Sequence, residues 1–403
     1  MKTFQTLLVV TGLALGACGG PVDGASEPSP DPMPNELAGA RPTPAGYHVA
    51  TLASLGGTRS VGNSINDRSW VTGYSRLAGD QTIHASLWFA GRTFDLGTLG
   101  GPNSGVIWPV KNTRGKISGI AETAEIDPLG ENWSCSAFFP SATGHVCRGF
   151  VWELGRMRAL PTFGGTHGFA TGTNNRGQTV GWAENTVRDP TCNAPQVLQF
   201  RAALWGPRTD QMQELPPLTG DTTSAATAIN DRGQVVGISG ICSNAVGEYS
   251  AAHAVLWEGG RAIDLGNIGG VAWTTPMALN ERGDVVGFAN PAATDPPNAF
   301  NVRAFIWTKR DGMRNLGTLP GDATSQALGI NERRQVVGVS CGASCRAFIW
   351  EDGVMTDMNE LVVSGSTETL RIAADINERG QISGQTLNAN SERSAFVALP
   401  TSR

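Results

Sequence analysis

The sequence predicts an all-β protein: a seven-bladed β-propeller of four-stranded antiparallel blades, closed into a ring by an N-terminal strand. Three observations predict it. First, the phrase AINDRGQVVG (Ala228 to Gly237) recurs in recognisable form seven times, keyed by Asn66, Asn112, Asn174, Asn230, Asn280, Asn331 and Asn377. Second, the steps between these asparagines are 46, 62, 56, 50, 51 and 46 residues, near the roughly 40 to 50 residues of a propeller blade and far above a leucine-rich repeat. Third, 52 Gly, 11 Trp and short Val/Ile runs in 403 residues suit short strands joined by tight turns, and no long helical period is visible.

Taken from the N-terminus, Lys2, the apolar run Leu7 to Leu15 and Leu-Gly-Ala-Cys ending at Cys18 read as a signal peptide with a lipobox over residues 1–18, too short to span a bilayer with about 20 residues. The pattern looks like a bacterial lipoprotein signal, which implies a lipid on Cys18 and a membrane partner through that anchor, the alternative being an ordinary secretory signal cut elsewhere. Gly19 in place of Asp favours the outer membrane, so the expected location is exported, anchored there and facing either the periplasm or the outside. Residues 19–46 are rich in Pro, Gly and Ser and carry too little apolar surface for a core, so they form a disordered tether. The propeller then occupies 47–400, beyond the roughly 250 to 300 residues at which single cores stop growing, a limit that radial repetition avoids.

Ala323 to Leu361 is the cleanest unit. Ser325 to Ile330 is its first strand, Asn331 to Arg334 a turn, Gln335 to Ser340 its second strand, Arg346 to Trp350 its third, and Val354 to Met358 its fourth. Most copies end the turn in Gly (Gly115, Gly177, Gly233, Gly283, Gly380), fitting a positive φ, whereas Ser69 and Arg334 depart from this. A second-strand Gly recurs at Gly73, Gly119, Gly181, Gly237, Gly287, Gly338 and Gly384 and marks a bulge or a close backbone approach. Third strands end in Trp88, Trp152, Trp205, Trp257, Trp307 and Trp350, read as core between blades because the same bulky ring repeats at one strand position. The last unit stops at its third strand, and YHVATLASLGG (Tyr47 to Gly57) has the fourth-strand pattern with no blade before it. Together these ends complete one blade and leave no open edge.

The phrases DLGTLGG (Asp95 to Gly101) and INDRGQVVG (Ile229 to Gly237), with third-strand triplets His253-Ala254-Val255, Arg303-Ala304-Phe305 and Arg346-Ala347-Phe348, resemble the bacterial extracellular HAF-repeat family across Tyr47 to Leu399. The resemblance implies a secreted or surface-attached, propeller-like protein and transfers no reaction. His253 is the one His read in the triplet, which excludes a ring of His ligands.

Function is sought where the units differ. From second-strand Gly to third-strand Trp, units 1 to 6 span 15, 33, 24, 20, 20 and 12 residues. The loop between strands two and three therefore takes the insertions, on the same face as the blade-to-blade connections, as expected of a binding face. Cys135, Cys147, Cys192, Cys242, Cys341 and Cys345 all lie in that loop. Six cysteines allow 15 pairings; proximity favours Cys135 with Cys147 and Cys341 with Cys345, leaving Cys192 with Cys242 across blades 3 and 4. An exported chain favours disulfides, and zinc lacks a Cys-x-x-Cys pair or a His in register. Candidate ligand-binding residues in the blade-to-blade connections are Arg59, Trp108, His167, Asp221, Trp273 and Asp322, with Phe169 and Asn103 beside them. An aromatic rim with scattered polar groups suits a glycan or an extended peptide, the alternative being that these rings pack beneath the insertions.

No catalytic residue, metal or cofactor is assigned. His48, His84, His145, His167 and His253 lack metal spacing, and phosphate-loop, EF-hand and GxSxG motifs are missing. A net charge of -5 with 16% charged residues excludes a nucleic-acid footprint. The expected protein is a monomeric, non-catalytic surface or periplasmic module that recognises a polysaccharide or a surface protein through its insertion-bearing face. The alternative is a carbohydrate-active enzyme, a glycoside hydrolase or lyase, using loop acids such as Asp189, Asp221 or Asp322.

Overall fold

The computed structural model describes residues 46–401 apart from 132–134, 136, 209, 244–246, 293–298 and 366; the signal, the tether and Cys18 lie outside the described residues. Seven antiparallel sheets form the blades, each with its first strand innermost. Blade 1 is Gly56–Ile65, Val71–Leu77, Ile83–Phe89 and Arg92–Asp95. Blade 6, read above as the cleanest unit, is Thr324–Ile330, Val336–Cys341, Cys345–Glu351 and Val354–Asp357, each within a residue or so of expectation.

The ring closes as expected. Tyr47–Thr51 pairs antiparallel with Ala395–Pro400 over five residues and supplies blade 7 with its fourth strand. A fifth strand, Val362–Gly365, was not anticipated; it pairs parallel with Tyr47–Thr51 and covers the outer edge, blunting a row of backbone groups that would otherwise template another chain.

The repeated residues build the seams. A Cβ at any second-strand Gly, from Gly73 round to Gly384, would collide with a first-strand carbonyl of its own blade. In six blades the ladder slips by one residue just past that Gly, as at Ala226/Ala228 opposite Gly237, so the position is both a close approach and a bulge. Each of the six third-strand tryptophans packs in an inter-blade cluster, Trp257 for example against Val180 and Ala202 of blade 3. Trp88, Trp205 and Trp257 also donate Nε1–H to the connections ahead of their blades, at Ala53, Pro161 and Pro216. Among the described residues the seam between blades 6 and 7 has no Trp, and Tyr47 of the closing strand is buried there beside Met358 and Phe396.

The seven keying asparagines do more than turn the chain. Each Oδ1 accepts backbone N–H groups two and four residues on, as at Asn230 from Arg232 and Gln234. Each Nδ2 donates to the backbone carbonyl of the equivalent Asn in the next blade, from Asn66 to Asn112 and onward until Asn377 reaches Asn66, at 2.7 to 3.3 Å. The result is a closed circle of seven hydrogen bonds around the axis. The following residue adds a second run of bonds over six of the seven seams: Thr113 N–H donates to Asn175, Asn175 N–H to Asp231, Asp231 N–H to Glu281, Glu281 N–H to Glu332, Glu332 N–H to Glu378 and Glu378 N–H to Asp67. Ser69 and Arg334, which lack the turn Gly, adopt the same left-handed backbone at φ 59° and 60°; Arg334 in addition pairs with Asp284 of blade 5 at 2.8 Å.

Candidate functional site

The two ends of the axis differ. At the asparagine end a cavity of about 140 Å³ is lined by five of the ring asparagines with Asp67, Asp231, Glu281, Glu332 and Glu378. Its carboxylates accept neighbouring backbone N–H groups as just described, and Lys111 beside them is bonded to the fully buried Asp375 at 2.5 Å. This end belongs to ring closure.

The other end carries the insertions, and they are stitched from blade to blade. Glu131, from the blade 2 insertion, accepts the backbone N–H groups of Val197 and Leu198 in blade 3, at 2.7 and 2.5 Å. Asn193 N–H bonds the Ser243 carbonyl and Cys242 N–H the Thr191 hydroxyl, joining blades 3 and 4. Trp273 and Thr274 donate to Glu248 and Ala251, joining blades 4 and 5, and Ser325 N–H reaches Val302, joining 5 and 6. The three disulfides pair as proximity suggested: Cys135–Cys147, Cys192–Cys242 and Cys341–Cys345. Only Cys192–Cys242 crosses between blades.

The candidate residues separate. Trp108, His167, Trp273 and Phe169 form no exposed rim: they are buried, with at most 4% of each accessible. Trp108 packs edge-on against Phe138 and Phe169, whose ring stacks on Trp182 at 4.4 Å, while Trp273 packs against Phe300. This corrects the aromatic-rim expectation, because these rings fill the axis beneath the insertions and area burial decides their role. Asn103 is buried as well, bonding Ile83 N–H and Glu122. Asp221 accepts the Ser239 hydroxyl at 2.6 Å, Asp322 pairs with Arg346 at 3.0 Å, and Asp189 accepts the Thr191 hydroxyl and N–H. Arg59, Asp221 and Asp322 are half-buried.

His167 sits in a cluster that sequence reading missed. Asp127, Glu131 and His167 are buried with ligand atoms within 4.8 Å of one another. Nδ1 of His167 accepts the Cys147 N–H at 3.1 Å, so its proton resides on Nε2, 3.4 Å from Asp127 Oδ2. A cation would need the lone pair that this tautomer lacks, so the set does not fit a metal held through His167. The cluster instead pins the blade 2 insertion to blade 3, where His167 N–H also bonds Glu184. Burial raises the Asp127 carboxyl, but His167 and the N–H groups of Leu129 and Glu131 outweigh it and hold it at about 2. Burial pushes Glu184 upward.

A second repeated pairing was also missed. His84 bonds Asp95 at 2.8 Å, His253 lies 3.5 Å from Asp264, and Arg346 lies 3.0 Å from Asp357. His84 occupies the register position of His253, since Ser86 faces Gly73 as Val255 faces Gly237. His253 is therefore not the one His of the triplet, and in blades 1, 4 and 6 the first triplet residue faces the fourth-strand Asp.

No family model matches the sequence, and no curated protein matches it. Among solved structures the chain is similar to a protein of unknown function from Dyadobacter fermentans, at 9% identity and TM-score 0.40 over 88% of this chain and 98% of that one. It is also similar to a puromycin-hydrolyzing peptidase of Mycobacterium tuberculosis, at 12% identity and TM-score 0.38 over 84% and 60%. Trypanosoma rangeli sialidase matches at 9% identity and TM-score 0.35 over 87% and 55%. Likeness of this degree carries no argument about activity. The protein is a seven-bladed, disulfide-bonded β-propeller with one regular and one elaborated face.

Proposed function

We propose that the protein is a non-catalytic binding and scaffold module that recognises a polysaccharide or a partner protein through its insertion-bearing face. In this reading it is exported and held at the outer membrane by lipid on Cys18, and its repeats are of the HAF type. One observation carries the binding reading: the insertions of consecutive blades are bonded to one another, through Glu131 to Val197 and Leu198, Cys192–Cys242 and Trp273 to Glu248. Loops held this way present one fixed surface and lose little freedom when a ligand arrives, which favours affinity. The acids first considered for catalysis, Asp221 and Asp322, are engaged by Ser239 and Arg346.

The test is a thermal-shift panel of the full chain against neutral and acidic cell-surface oligosaccharides, with crosslinking on intact cells alongside. A saturable rise in Tm with one oligosaccharide, without turnover, is expected for a polysaccharide ligand; a specific crosslinked protein is expected for a protein ligand. Product formation from the oligosaccharide would overturn the non-catalytic reading.

A further inference from the structure

Blades 2 and 3 depart from the repeat together at the asparagine end. The residue after the ring asparagine is an acid in five blades but Thr113 in blade 2 and Asn175 in blade 3, so this sector lacks the carboxylates that line the axial cavity. Four residues after the ring asparagine, Gln178, Gln234, Gln335 and Gln381 each accept the Nδ2–H of their own blade's asparagine at 2.7 to 3.0 Å. Blade 2 has Lys116 there. An ammonium has no lone pair with which to accept that bond. Lys116 Nζ instead crosses the seam to the carbonyls of Gly177 and Pro207 in blade 3, at 3.3 and 3.2 Å, with a third donor remaining.

On the outside of this seam lies a groove of about 440 Å³. Lys116 lines it with Glu153, Arg156 and Arg158, from the third and fourth strands of blade 2 (His145–Glu153 and Arg156–Ala159), and with Arg208 and Asp210 from the turn after the third strand of blade 3. Arg156 and Arg158 stand two residues apart on one strand, so they share a face at a spacing of about 7 Å. Both are exposed, and neither holds a hydrogen bond or an ion pair among the described residues. Arg208 is paired with Asp210 at 2.9 Å. At the same register, blades 1 and 4 keep the first arginine as Arg92 and Arg261 and carry Phe94 and Ile263 in place of the second.

We propose that this groove is an oxyanion site that takes a phosphate group, free in solution or on a lipid headgroup. Four cations face two carboxylates in it, an excess of two positive charges, and a phosphate monoester carries about −1.5 to −2 at pH 7. The guanidinium forks of Arg156 and Arg158 match phosphate oxygens with paired, charge-assisted hydrogen bonds, and the remaining Lys116 donor adds a point charge. The apolar lining is limited to Val151 and Pro207, which leaves charge rather than ring stacking or apolar burial to hold a ligand. The groove lies away from the insertions, and the proposal is independent of binding there.

The test is calorimetric titration of the full chain with inorganic phosphate at low and high salt, and co-sedimentation with phosphatidylcholine vesicles with and without phosphatidic acid. The expected result is saturable binding that weakens with salt and falls at least tenfold when Arg156→Gln and Arg158→Gln are combined, at unchanged Tm because both side chains are exposed. Lys116→Gln, which installs the residue of blades 3, 4, 6 and 7, should weaken binding several-fold and decides the matter if the double variant fails to fold. Arg261→Gln, which removes the blade 4 counterpart of Arg156 opposite Glu258, should leave binding unchanged. A gain in sedimentation that requires both phosphatidic acid and the two arginines supports the site with a headgroup as its source. Arginine-dependent binding of inorganic phosphate without that gain supports it with free phosphate as its source. Binding of neither overturns the site, as does binding that survives the double substitution or falls equally with Arg261→Gln, the mark of unspecific attraction.

Discussion

The asparagine face and the insertion face are built from the same seven blades by opposite means. On the asparagine face one short bond, Asn Nδ2 to the next Asn carbonyl, is made seven times. On the insertion face each junction is made once, by its own residues: Glu131 at blades 2 and 3, Cys192–Cys242 at 3 and 4, Trp273 at 4 and 5, and Arg393 at 7 and 1. Repetition is what ring closure demands, because every seam has to be closed in the same way. The other face is held without repetition and is therefore free to vary, which is where a ligand can be accommodated.

The comparison can be broken in several places. The largest effect is expected from deleting Tyr47 to Gly57, which removes the fourth strand of blade 7 and Tyr47 from the one seam that lacks a Trp. Tm should fall sharply with aggregation, and an unchanged melting curve would show that the ring does not depend on this closure. Next, Cys192→Ser with Cys242→Ser opens a cross-link of sequence separation 50, costing about 4 kcal/mol by loop entropy, against about 2 kcal/mol for the separation of 4 at Cys341–Cys345. Equal losses in denaturant titration would contradict a special role for the inter-blade bridge. Trp257→Ala should cost a similar 3 to 5 kcal/mol.

Smaller is Asn230→Ala, which removes one ring bond and leaves two turn N–H groups without their acceptor, at about 2 kcal/mol. It should leave ligand binding on the far face untouched; a loss of binding at preserved Tm would break the division between the faces. The smallest effect is in acid. Because the folded Asp127 carboxyl lies at about 2, below its ordinary value of 3.8, its contribution is complete above roughly pH 5 and is lost as pH falls toward 2. Asp127→Asn should lower Tm at pH 6 and flatten its decline between pH 5 and 2; parallel Tm curves for variant and wild type would contradict this.

Much of the fold was legible because its determinants repeat. The second-strand glycines, read as a bulge or a close approach, the third-strand tryptophans, read as core between blades, and the orphan fourth strand at Tyr47 are borne out by the contacts. The asparagine circle was half legible: the turn is local, whereas the bond to the next blade joins residues about 50 apart and leaves no local mark. The strand Val362–Gly365 was hidden for the same reason, its partner being at the other end of the chain. The candidate site was read less well. Departure from a repeat flags a residue as different but does not say whether it faces solvent, and Trp108, His167 and Trp273 proved to lie beneath loops whose course no spacing reveals.

Hydrogen–deuterium exchange of the full chain, with and without the panel oligosaccharide giving the largest thermal shift, tests the division of the two faces most directly. New protection is expected to be confined to the segments around 127–147, 189–197, 241–252 and 290–302 and around Arg59 and Arg393, with the asparagine turns unchanged. Protection centred on the turns at Asn66, Asn230 and Asn331, with the insertions unaffected, would contradict it.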